Sequence, residues 1–150
     1  MSSTVPRSGS VVFCLVLVMT LALYPVLKLL VVQIHSVITG QYVAGRHSVL
    51  LINCPTEQIA KDIGRSLMEK RMAACVNLFP RTSTMYYWKG EIRDASEILL
   101  LVRTTTSLVQ RIVTFVNSVH PYEIPEIISF PIEDGSPRYL KWIEEAVSNI

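Results

Sequence analysis

The 150-residue chain has no Cys-x-x-Cys pair, no Asn-x-Ser/Thr glycan acceptor, no glycine-rich phosphate loop and, before His47, no acidic side chain. Each absence removes a class of function. The three cysteines, Cys14, Cys54 and Cys75, are odd in number and unrelated in spacing, so they signal neither a disulfide scaffold nor a structural zinc site. A core of this kind is not built for an oxidising compartment. Without a phosphate-cradling loop, nothing supports nucleotide binding. The lack of early acids leaves Arg7, Lys28 and Arg46 uncompensated, so the first 46 residues carry +3 of a total charge of +2 and the remainder carries −1. The basic pI of about 8.5 therefore comes from the leading segment. A near-neutral remainder without a basic stripe gains little from counterion release, which excludes nucleic acid as the main partner.

What is abundant is apolar sequence, and it is unevenly placed. Val11 to Leu27 carries no charge and, as a helix rising about 1.5 Å per residue, reaches roughly 26 Å, just short of a hydrocarbon core of roughly 30 Å. Lys28 can snorkel, and Leu29 to Val32 can extend the span to residues 11–32. Gln33 to Arg46 offers no small-x-small cleavage site and contains Gly40 and Gly45, so the pattern favours an uncleaved signal anchor followed by a linker. That places the protein at a membrane or in the secretory pathway; without the segment the remainder would be cytoplasmic. Positive charge on both flanks leaves the orientation open. Residues 1–46 are thus an anchor or signal segment with its linker, and residues 47–150 one foldable domain.

In that domain Ser48–Asn53 reads as a buried first strand closed by Cys54-Pro55. Thr56 can cap a helix with Ile59, Ala60, Ile63, Leu67 and Met68 at helical spacing, Glu57 in the first turn and Lys70-Arg71 in the last. Ala74–Phe79 alternates and leads through Pro80 into Thr82–Trp88, with Lys89-Gly90 as a hairpin turn. Beyond the polar Asp94-Ala95-Ser96, the run Glu97–Arg103 forms the next strand, and its five consecutive apolar residues predict burial on both faces. A second helix opens at Thr106 or Ser107 and stops before Pro121. Glu126–Ile132 reads as a strand that Pro131 puts at an edge, and Ser136-Pro137 opens a last helix. The order βαββαβ plus a C-terminal helix predicts an α+β ferredoxin-like sandwich. About 104 residues give a limited core, and an apolar hairpin at Tyr86-Tyr87-Trp88 is a poor edge to leave bare, so self-association into a closed cyclic oligomer is expected.

The chemistry-bearing residues concentrate in His120-Pro121-Tyr122-Glu123-Ile124-Pro125-Glu126-Ile127, a connector stiffened by two prolines. His120 is a candidate metal ligand or a helix-terminal cap; Glu123 and Glu126 are candidate ligands or ion-pair partners. One histidine with no nucleophile defines no reaction, so no enzyme is expected. Cys54, beside Pro55 at a strand end, is expected to be accessible and to offer a soft ligand, whereas Cys75 reads as a small buried hydrophobe. Tyr86, Trp88, Tyr122, Tyr139 and Trp142 are expected at an interface or in a pocket.

Ala73-Ala74-Cys75-Val76-Asn77, Tyr86-x-Trp88-x-Gly90, His120-Pro121-Tyr122-Glu123-x-Pro125-Glu126 and Tyr139-x-x-Trp142, in this order between about Val49 and Val147, resemble the CutA family of divalent-cation tolerance proteins. The hydrophobic leader resembles animal members. The resemblance implies a homotrimer in which hairpins exchange strand contacts, binding of copper or another divalent cation without an organic cofactor, and, for animal members, a role in anchoring or maturing acetylcholinesterase at membranes. His120 and Glu126 match the family pattern as ligands. Where bacterial relatives carry a second histidine and a first-strand cysteine, this chain has Val119 and Ile52, with Cys54 two residues later.

Overall fold

A computed structural model describes residues Ser8 to Ser148. Arg7, counted above in the N-terminal charge, lies outside the described residues. The chain divides between Val43 and Ala44 into two units.

The first unit is α1, Ser8–Thr39, 32 residues long with Pro25 inside and no buried side chain. Its most apolar 18 residues have a mean hydropathy of 2.5, so by length and composition it can cross a membrane. The helix continues past the expected span because Gln33-Ile34-His35 contains no breaker, and it ends before Gly40, whose φ is +66°. Pro25 removes one backbone donor inside the helix, a defined site for a bend. Thr20 satisfies its hydroxyl within the apolar stretch by donating to the Val16 carbonyl at 2.8 Å.

The second unit is a four-stranded antiparallel sheet in the order β2-β3-β1-β4, built from β1 (His47–Cys54), β2 (Cys75–Trp88), β3 (Glu91–Thr105) and β4 (Ile127–Pro131). The helices are α2 (Glu57–Glu69), α3 (Val109–Val119), entered through a short 3-10 turn at Thr106–Leu108, and α4 (Pro137–Ser148). Thr56 caps α2 by accepting from the Ile59 amide at 3.2 Å. α2 stops at Glu69, so Lys70 is its C-cap and Arg71, at φ +50°, lies beyond its last turn.

Register decides what each face of the sheet holds. Leu50, Ile52 and Cys54 stand opposite Val102, Leu100 and Ile98 and point toward α2 and α3, where they pack with Ala60, Ile63, Leu67, Ile112 and Val116. Each large aliphatic fully buried there contributes roughly 1.5–3 kcal/mol of transfer free energy. Gly64 allows α2 to approach the sheet, since a Cβ there would meet Val76 Cγ1 at 3.3 Å. The other face carries His47, Val49, Leu51, Leu99 and Leu101. α4 packs on β1 and β3, burying Leu140, Ile143 and Val147. Leu99 and Leu101 are half-buried, because α4 covers only part of that face.

Two strands run longer than their sequence suggests. β2 passes through Pro80 by a bulge in which Pro80 and Arg81, the latter at φ +50°, stand against the single residue Ile98. β3 passes through Asp94-Ala95-Ser96 because β2 pairs with it over its whole length. Together they form a long arm closed at Lys89-Gly90, where both residues have positive φ, as a two-residue hairpin turn of this type requires.

Candidate functional site

The bulge sets up the site. Before it, Cys75, Asn77 and Phe79 occupy the face away from α2 and α3; after it the alternation reverses, and Thr84, Tyr86 and Trp88 take that face opposite Ala95, Arg93 and Glu91. This brings Tyr86, Trp88 and Arg93 to the same side as Glu97 and Asn53. The connector Pro121 to Glu126 runs beside them, and the segments line an open cleft of about 650 Å³. Glu97, Glu123 and Glu126 line it, with Tyr86, Tyr87, Trp88 and Tyr122 as its aromatic wall.

Hydrogen bonds hold the connector in place. His120 ends α3, its amide donating to the Val116 carbonyl at 2.8 Å, and its ring is buried. The Tyr122 amide donates to His120 Nδ1 at 3.1 Å, so Nδ1 accepts, Nε2 carries the hydrogen and donates to the Asn53 carbonyl at 2.8 Å. The imidazole thus ties α3 to the end of β1. Asn53 in turn donates from Nδ2 to Glu126, and the Tyr122 hydroxyl donates to Glu97 Oε1 at 3.0 Å. Burial, reinforced by the Glu97 carboxylate, pushes the Tyr122 hydroxyl up to about 12, so it keeps its proton and remains the donor.

The predicted residues do not all meet here. Tyr86, Trp88, Tyr122, Glu123 and Glu126 line the cleft. His120 lies behind it with both nitrogens engaged by backbone. Cys54 is fully buried, contrary to the accessibility expected of it: one residue along β1 from Asn53, it points to the helix-covered face. Burial first and Glu97 second push its thiol up to about 11, away from the thiolate that ligates metals. Tyr139 and Trp142 stack on one another on α4, 5.4 Å between ring centres, and are absent from the cleft lining. Cys75, half-exposed, accepts from Arg103 Nη1 at 3.0 Å. Asn53, Thr84, Arg93 and Glu97 were not singled out in the sequence. Glu97 carried a signal, a carboxylate opening an apolar strand, but the other three join the site only through register.

Among the described residues no three His, Cys, Asp or Glu side chains converge as a ready ligand set. Copper prefers imidazole and sulfur donors. Within one chain, a histidine without a free lone pair and a buried protonated thiol do not fit that ion. The cleft offers carboxylate oxygens instead, which suit harder divalent cations.

Comparison with known proteins gives concordant matches. The family model described as "CutA1 divalent ion tolerance protein" covers residues 48–146. A Protein CutA homolog of Danio rerio is 73% identical over 149 residues, 99% of each chain. Protein CutA of Mus musculus is 46% identical over 109 residues, 73% of this chain and 62% of the mouse protein. The solved structure of a divalent cation tolerance protein from Thermus thermophilus superposes with a TM-score of 0.66 at 42% identity, covering 67% of this chain and 98% of that one.

Proposed function

The chain belongs to the CutA1 divalent ion tolerance family, and from that premise we propose that it is a membrane-tethered homotrimer that binds a divalent cation at the connector cleft and catalyses no reaction. The observation that carries this reading is that Glu97, Glu123 and Glu126 all line one cleft next to the family-marking His120-Pro121-Tyr122-Glu123 segment, although they do not form a ready three-ligand set within one chain. Glu126 and Glu123 are the proposed first ligands, with His120 holding the connector that presents them and donors from a second protomer completing the shell. Trimerisation is supported by the apolar side chains left open on the arm, Met85, Tyr87 and Ile92, and on the sheet, Phe79 and Phe130. Tethering is supported by α1.

The match to 98% of the Thermus thermophilus protein supports residues 44–150, the second compact unit, as a domain that folds by itself. Calorimetric titration of that domain with Mn²⁺ and Zn²⁺ is expected to show one site per protomer, weakened about tenfold or more in Glu126→Gln. Unchanged binding in that variant removes Glu126 and the cleft from the site.

A second reading is favoured by the same open apolar arm: an interaction scaffold presenting its surface to a membrane-bound partner such as an acetylcholinesterase complex. Retention of such a partner in pull-downs with EDTA supports the scaffold; its release by EDTA ties partner binding to the cation.

A further inference from the structure

The cleft is too large and too aromatic for an inorganic ion alone. A cation with six waters fills about 180 Å³ at roughly 30 Å³ per water, against about 650 Å³ in this open cleft. Its volume lies in the range of small-molecule sites, about 300–1,000 Å³. The lining holds three carboxylates and one guanidinium. That guanidinium, on Arg93, is already 3.6 Å from Glu91. The cleft therefore carries excess negative charge beside π-faces, the pairing that attracts a positively charged group with an apolar body. Trp88 already accepts such a group, since the Lys89 ammonium sits 5.9 Å from its ring centre. Glu97 is 6% exposed, and Tyr122 occupies only one of the roughly four acceptor positions a carboxylate offers.

We propose that this cleft is a binding site for an organic primary ammonium bearing an apolar group, with the N–H donors directed at Glu97 and Glu123 and the apolar body against Tyr86 and Trp88. Carboxylate acceptors reward N–H donors, which selects a primary amine over a quaternary one. The proposal rests on the cleft's own geometry; it shares Glu123 with the divalent-cation reading, and chelation in the test separates the two.

The test uses the full chain in nonionic detergent with EDTA throughout, so its outcome is independent of any metal. Benzylammonium, benzyl alcohol and benzoate form a series that differs mainly in charge. Benzylammonium is expected to bind saturably, about tenfold or more tighter than the alcohol, with no binding of benzoate. Glu123→Gln, on the exposed connector, is expected to weaken it about fivefold or more, and Glu97→Gln to do the same where the fold persists by circular dichroism. Quenching of tryptophan fluorescence on binding is expected to vanish in Trp88→Phe. Equal affinity for amine and alcohol, an unchanged affinity in Glu123→Gln, or no saturable binding at all, as when a second protomer fills the cleft, overturns the proposal.

Discussion

Replacing His120 by Ala separates its two roles. The substitution deletes a buried imidazole that donates to the Asn53 carbonyl and accepts from the Tyr122 amide. Each hydrogen bond contributes about 1 kcal/mol net, and leaving its buried partner unpaired costs about 1–3 kcal/mol. With the cavity left behind, His120→Ala is expected to destabilise residues 44–150 by about 3 kcal/mol. Gln places an amide donor where Nε2–H stood, so His120→Gln is expected to recover about 1–1.5 kcal/mol of that loss. The assay is guanidinium unfolding at one fixed protomer concentration for all variants, since assembly is linked to folding. Metal titration of the same samples completes it. If His120 braces the connector, stability and cation affinity fall together in Ala and recover together in Gln. A loss under about 1 kcal/mol with cation binding abolished in both variants would refute the bracing argument and make the ring a direct ligand.

Two other perturbations test the fold. Burial pushes His47 below its usual value of 6.5, with Glu144 opposing and Arg46 reinforcing the shift. The unfolded chain therefore binds a proton that the folded one resists, and the stability present above pH 6.5 is lost as pH falls below it. The melting temperature is expected to drop between pH 7.5 and 5.5 more steeply in the wild type than in His47→Gln; equal slopes would show that His47 does not drive the change. At Gly64, Ala gains about 1 kcal/mol of helix propensity and pushes Val76 by a few tenths of an ångström, so near-neutral stability is expected. Gly64→Leu overpacks the α2–β2 contact and is expected to cost about 1–3 kcal/mol or more. Equal midpoints for the two variants in urea would show that the contact is not tight.

Local pattern determined a large part of this protein. The order of strands and helices, the Thr56 cap, the Lys89-Gly90 turn, the edge position of the Pro131 strand and the apolar helix ahead of the domain all follow from residues near one another in the chain. The family was also legible there, because its motifs are contiguous. Other features were decided only when strands paired. Pro80 and Asp94-Ala95-Ser96 read as interruptions by propensity, yet pairing between β2 and β3 carries both strands through them, with a bulge absorbing the extra residue. That bulge reverses which β2 side chains share the sheet face of Glu97 and Asn53, and strict alternation from Cys75 onward would have put Met85 and Tyr87 on that face instead of Tyr86 and Trp88. Cys54 was misjudged for the same reason, since a one-residue difference from Asn53 separates the helix-covered face from the cleft. Sequence supplies the chemistry of a side chain. Its direction depends on register against a strand tens of residues away, and so does whether Glu97, Glu123 and Glu126 share one cleft.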